Sequence, residues 1–224
     1  MPGPKSVSDI LSNLRRHGRS LQTYRKGIRI RGTKTMSLGT YSYVLEAEPG
    51  ALEAGFDPVL SPAEMLMLGV FEGKYLNDCT AEFPMEWFMG AIAAGGLSPE
   101  GQDPERCNLF GVKSRQPLPA WKENGWAPSA DGVGKATKSG KPTDHYHGVL
   151  ADPTTNPDER GWFQWYCRYW LGRRIPALDR IQINRWRAFR RHAGAIRAGC
   201  AAKDLECRRR ERQALLQWAY DPFI

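Results

Sequence analysis

The sequence predicts a mainly α fold: one helical domain over 1–224, with one or two short strands near the N-terminus and a long irregular central section. Three observations carry that expectation. Apolar and aromatic residues recur at helical spacing, most clearly in the last third of the chain. Ser61-Pro62-Ala63-Glu64 and Asn156-Pro157-Asp158-Glu159 are helix-start signatures, with a capping side chain, a first-turn proline and an acid behind it. Alternating apolar and polar residues, the mark of strands, are confined to the region before residue 46.

Size and composition permit such a fold. A chain of 224 residues with 41% hydrophobic content and eight each of Trp, Tyr and Phe can bury a core, which excludes a disordered class. No apolar run approaches the roughly 18 residues of a membrane span. No apolar stretch follows Met1-Pro2-Gly3-Pro4-Lys5 as in a secretory signal, so a cytoplasmic protein is expected. Cys79, Cys107, Cys167, Cys200 and Cys207 are odd in number and form no CxxC pair, so reduced thiols are expected.

In chain order, Ser6 to Arg16 reads as a helix with Ile10, Leu11 and Leu14 on one face and Gly18 at its end. The Ile/Arg alternation within Arg25 to Arg31 predicts a strand with one cationic face, and Tyr41 to Leu45 a second. A helix starts at Ser61 and buries Met65, Leu66 and Leu68. Val70 to Phe83 is expected to form another, interrupted by Pro84, and a third runs from there to Gly95-Gly96. Residues 97–157 are rich in Gly, Pro, Ser and Asp and should be mostly loop, pinned by Phe110, Trp121 and Trp126, with Gly132 to Thr143 mobile. Trp162, Trp165, Tyr166, Tyr169 and Trp170 form one helical stripe, and Ile183, Trp186, Ala193 and Ile196 another over Asp179 to Arg197. A last helix is expected from Cys207 to Tyr220.

The net charge of +8 is distributed as basic, acidic, basic. Residues 1–40 carry nine Lys or Arg against Asp9 alone; residues 41–157 carry eight basic and sixteen acidic residues; residues 158–224 carry fifteen basic and seven acidic. Two cationic ends suit a polyanion, with DNA ahead of RNA, because neutralising phosphates releases condensed counterions. A basic protein whose ends neutralise its own acidic middle is the plainer alternative.

The leading candidate interface is the polar stripe Arg180, Asn184, Arg187 and Arg191, at i, i+4, i+7 and i+11. Arg168, Arg173, Arg174, Arg208 and Arg209, with Arg210, can extend it, since guanidinium groups match phosphate oxygens and guanine edges. Most charged stripes are merely solvated, and this one matches no particular DNA-binding motif. The aromatic stripe of Trp162 to Trp170 is expected to be core, leaving Arg168 and Gln164 exposed on the opposite face. For catalysis, Lys74, Asp78 and Glu82 are spaced by four, with Glu72 and Tyr75 nearby. On a helix they would share a face able to do acid–base work or hold a divalent metal; a surface ion-pair ladder is the alternative. His145 and His147 would be two metal ligands if they lay on a strand, though nothing in the sequence fixes their partners. Gly132-Val133-Gly134-Lys135-Ala136 lacks the upstream glycine and the hydroxyl residue of a phosphate-binding P-loop.

Three blocks run Leu68-Gly-Val-Phe-Glu-Gly-Lys-Tyr-Leu-Asn-Asp-Cys79, Gly161-Trp-Phe-Gln-Trp-Tyr-Cys-Arg-Tyr-Trp-Leu-Gly-Arg-Arg174 and Arg212-Gln-Ala-Leu-Leu-Gln-Trp-Ala-Tyr-Asp221. Together they resemble a family found in phages, bacteria and fungi, one without an established activity, so no residue role is carried over from it. A phage-like distribution implies DNA modification or its recognition, for example by a transferase of thymine hypermodification. The expectation is therefore a nucleic-acid-binding protein that modifies bases in DNA. The alternatives are a non-catalytic DNA- or RNA-binding module and a protein whose basic patch meets an acidic protein partner.

Overall fold

Helix carries most of the regular secondary structure in the computed structural model, which describes residues 4, 6–35, 39–100, 104–114, 116–130 and 145–224. Its one described sheet is a two-stranded antiparallel ribbon, so the chain is mainly α, as its sequence predicts. The expected mobile stretch from Gly132 to Thr143 lies outside the described residues. No helix among them is long and apolar enough to cross a membrane. The sequence suggests one domain; the chain groups into two compact units, each assembled from separated stretches.

The first unit comprises Met1–Tyr24, Leu52–Arg115 and Trp186–Ile224. Helix α1 (Val7–His17) starts where Ser6 accepts the Asp9 N–H, and it buries Ile10 and Leu14. Its Asn13 Nδ2 donates to Thr80 Oγ1 at 3.0 Å. Helix α2 (Pro62–Met67) has the complete capping box that Ser61 and Glu64 foretell, and it packs on α3 (Met85–Ala93). The short α4 (Pro104–Cys107) follows. Helix α8 (Pro176–Gly199) gives this unit its residues from Trp186 onward, and α9 (Arg209–Gln217) completes it. Rings join α8 to the segment after α9: Trp186 stacks on Tyr220 and Phe189 on Trp218, each at 4.9 Å between centroids. The Tyr220 hydroxyl donates to the Trp186 carbonyl at 2.7 Å.

Cys200 and Cys207 correct the expectation of reduced thiols. They form a disulfide across the turn between α8 and α9, with Cα atoms 5.8 Å apart, whereas Cys79, Cys107 and Cys167 are buried and belong to no disulfide. The chain reversal after a helix end brings together two positions that sequence spacing leaves unconnected.

The second unit comprises Arg25–Ala51 and Gln116–Arg185. Strands β1 (Arg29–Arg31) and β2 (Ser42–Val44) pair with Ile30 opposite Tyr43, both buried, while Arg29 and Arg31 face water as their alternation predicts. Helices α5 (Leu118–Glu123), α6 (His145–Ala151), α7 (Trp162–Trp170) and the first ten residues of α8 belong here. In α7 the aromatic stripe is core: Trp162 stacks on Tyr166 at 5.2 Å and Trp165 on Tyr169 at 5.0 Å. The helix is buried on its other side as well, including Gln164 and Arg168, contrary to the expected exposed face. Gly172, at φ 110°, accepts the Glu46 and Ala47 N–H groups on its carbonyl; a Cβ there would meet the Ala47 carbonyl oxygen at 2.0 Å.

Candidate functional site

The four residues offered for acid–base chemistry are not aligned. Residues 70–83 form no α-helix; two 3-10 turns, Val70–Gly73 and Asn77–Glu82, replace it. Phe71, Glu72 and Leu76 have left-handed backbone, at φ 53°, 61° and 62°, and each such residue breaks the helical path. Lys74, Asp78 and Glu82 therefore share no helix face. Lys74 and Asp78 are exposed, whereas Glu72 and Glu82 are buried. Side chains brace this loop: the Glu72 N–H donates to Asn108 Oδ1 at 2.8 Å, and Asn77 Nδ2 donates to the Gly73 carbonyl at 3.0 Å.

Among the described residues no three His, Cys, Asp or Glu side chains converge as a metal ion requires. The side chains of His145 and His147 lie outside the described residues. Their backbone begins helix α6 rather than a strand, and positions two apart on a helix do not face each other.

The arginines fall into two groups. Arg168 and Arg173 are 0% and 1% exposed, which removes them from any interface. Both close on the fully buried Asp158: Arg168 Nη1 at 2.8 Å from Oδ1, and Arg173 with both terminal nitrogens, at 2.8 and 2.6 Å. The Tyr41 and Tyr43 rings cover the guanidiniums, with Arg168 4.9 Å from the Tyr41 centroid and Arg173 5.8 Å from that of Tyr43. Burial opposes the charge on Arg173, but the neighbouring Asp158 more than offsets it and moves its pKa up. Arg174 lies on the Tyr169 ring at 4.0 Å and donates to the Tyr169 and Ala51 carbonyls. In the second unit's part of α8, Arg180 is exposed and Asn184 half-buried.

In the first unit Arg187, Arg190, Arg191 and Arg197 are exposed on α8. Arg187 donates to the Gly55 carbonyl from Nε and Nη2 at 3.2 and 3.1 Å. Arg208 pairs with Glu211 at 3.4 Å, and Arg210 is exposed. Arg209 is turned inward, its Nε donating to the Phe110 carbonyl at 2.8 Å.

That inward turn belongs to a feature the sequence did not reveal. A cavity of about 680 Å³ opens in the first unit, lined by Met67, Leu109, Leu205 and Phe223, with Arg106, Glu206 and Arg209 among its charged residues. Gln213 sits behind it, accepting the Phe110 N–H at 3.1 Å and donating to the Gly69 carbonyl at 3.5 Å. Gly69, at φ 72°, is required there, because a Cβ would lie 1.7 Å from the Cys107 carbonyl oxygen. The buried Arg212 gathers four carbonyls: Cys207 from Nε, Pro222 and Ile224 from Nη1, and Asp204 from Nη2, at 2.6–2.9 Å.

No protein-family model, no curated protein and no solved structure matches the chain.

Function must then be argued from this chain's own chemistry. The signal for the cavity was faint: Leu205 stands between Asp204 and Glu206, Phe223 lies in a short non-helical segment, and Met67 ends a short helix. For Asp158 the sequence offers only a helix-start signature, which gives no sign of its two guanidinium partners.

Proposed function

We propose that the chain binds nucleic acid, DNA ahead of RNA, through the arginines displayed by the first unit. The observation that carries this reading is the exposure of Arg190, Arg191 and Arg197. None of the three is held in a hydrogen bond or ion pair among the described residues, and 190 and 197 are two helical turns apart on one face. Arg187, Arg208 and Arg210 are exposed nearby in the sequence, and in the second unit Arg29 and Arg31 give β1 a cationic face. Planar guanidiniums left open to water suit phosphate oxygens.

Resemblance of the three sequence blocks to the phage, bacterial and fungal family supports a role in DNA-base modification, as a transferase of thymine hypermodification. Such work belongs in a cytoplasm, or a host's cytoplasm for a phage-encoded chain. The burial of Glu72 and Glu82 favours a second reading, a binding module without catalysis. Nucleoside analysis of DNA from cells expressing the chain separates the two: a new base mass supports the enzyme, and unchanged composition with intact binding supports the module.

The experiment for binding itself is a salt series with matched double-stranded DNA, single-stranded DNA and RNA. Three phosphate contacts correspond to a slope of log K against log salt of about −2 to −3. Arg191→Glu with Arg197→Glu should flatten that slope by about 2. Weak, salt-insensitive binding to all three would sink the reading and favour an acidic protein partner.

A further inference from the structure

The cavity of the first unit combines two chemistries that the arginine surface alone does not use. Seven large apolar residues are exposed among the described residues, and four of them, Met67, Leu109, Leu205 and Phe223, line this one cavity. They are 37–46% exposed, so covering them removes apolar surface from water. The volume of about 680 Å³ falls within the range of about 300–1,000 Å³ typical of small-ligand sites. Its size does not identify the occupant.

The charges narrow it. Arg209 and Glu206 approach each other at 3.5 Å, and Arg209 is further engaged by the Phe110 carbonyl. Arg106 is exposed and makes no hydrogen bond or ion pair among the described residues, so it is the cation left for a ligand. An apolar wall with an aromatic ring, an uncommitted guanidinium and a carboxylate able to accept from a base N–H, such as that of thymine, together suit a flat heteroaromatic body joined to an anion. Arg208 and Arg210, exposed on either side of Arg209 in the chain, can meet further phosphates of the same strand.

We infer that this cavity seats one unpaired nucleotide of a single strand, its base against Phe223 and Leu205 and its phosphate at Arg106. The inference rests on the nucleic-acid reading above and specifies the strand form and the seat of the base. In that reading Phe223 takes the stacking role for which the buried rings of α7 are inaccessible. Stacking on one aromatic side chain changes single-strand affinity by about tenfold.

The test uses the full chain and two fluorescent strands of equal length and charge, oligothymidylate and its fully abasic counterpart, followed by anisotropy. Oligothymidylate should bind about tenfold tighter. Phe223→Ala should erase that difference, leaving abasic binding and thermal stability unchanged, because the ring is already 46% exposed. Strands carrying 4-thiothymidine should photocrosslink to Met67, Leu205 or Phe223. Equal binding of both strands, weakened by Arg191→Glu, would overturn the cavity assignment while leaving the arginine surface intact. A base preference that Phe223→Ala does not touch would overturn it as well. Absence of binding to either strand would overturn this inference, and absence of binding to a matched duplex as well would remove the nucleic-acid reading. Capture of an acidic, leucine-rich peptide instead, lost in Phe223→Ala, would assign the cavity to a protein.

Discussion

Asp158→Ala takes one carboxylate from a site that holds two guanidiniums, each at most 1% exposed. Arg168 keeps a bond to the Pro157 carbonyl at 2.9 Å, and Arg173 keeps a long hydrogen bond to the Tyr41 hydroxyl at 3.4 Å and the Tyr43 ring at 5.8 Å. Two buried cations then lose the one carboxylate that both of them close on. Removing one partner of a buried pair costs about 3–5 kcal/mol, and here two pairs go at once, so the lower bound is about 3 kcal/mol. Set against a typical stability of about 5–15 kcal/mol, that is a large share. Urea unfolding followed at 222 nm and by tryptophan fluorescence measures it; with a slope near 2 kcal/mol per molar, the midpoint should fall by about 1.5 M or more. Adding Arg168→Met and Arg173→Met to Asp158→Ala should recover part of the loss, because apolar replacement removes the stranded charges. A loss below about 1 kcal/mol for Asp158→Ala, or no recovery in the triple variant, would refute the argument.

Three further outcomes are expected. Cys200→Ser should lower stability by about 2–3 kcal/mol, the chain entropy released by opening so short a loop, and the same shift should follow reduction of the unaltered chain. Gly69→Ala should cost well over 2 kcal/mol, given its left-handed φ and the Cys107 carbonyl in the way. Gly148→Ala on α6, where a Cβ meets nothing within 4 Å, should instead be neutral or stabilising by up to about 1 kcal/mol; equal effects at the two sites would contradict the geometry. Burial first, and Arg191 second, lower the pKa of His192. The unfolded chain then binds that proton more readily, so the contribution is complete above about pH 6.5 and is lost as pH falls below it. His192→Asn should flatten the decline in Tm between pH 7 and 5, and an unchanged slope would count against the assignment.

The elements readable from the sequence are those whose cause is local. Ser6 and Ser61 cap helices because the groups they satisfy lie within three residues, and Arg29-Ile30-Arg31 alternates because a strand's faces do. The turns at Val70–Gly73 and Asn77–Glu82 escaped because apolar spacing there is helical, while Phe71, Glu72 and Leu76 have left-handed backbone and the Glu72 N–H donates to the distant Asn108. Arg168 and Arg173 escaped for a related reason. An arginine among aromatic residues reads as a solvated face unless its counterion is known, and Asp158 lies ten and fifteen positions away. Of the exposed arginines of α8, Arg180, Arg187 and Arg191 were legible as a periodic stripe, but Arg190 and Arg197 were not, nor was the cavity, since its walls come from five separate stretches of chain.

Arg212 has a mechanical consequence for that cavity. Leu205 and Glu206 sit between two of the carbonyls it holds, Asp204 and Cys207, and Phe223 sits between the other two, Pro222 and Ile224. Two parts of the lining are thus fastened to one planar guanidinium, much as a rivet joins the arms of a pair of tongs. Lysine, with three donors on a single nitrogen, cannot satisfy all four carbonyls. The placement of both stretches therefore depends on a residue that does not itself line the cavity.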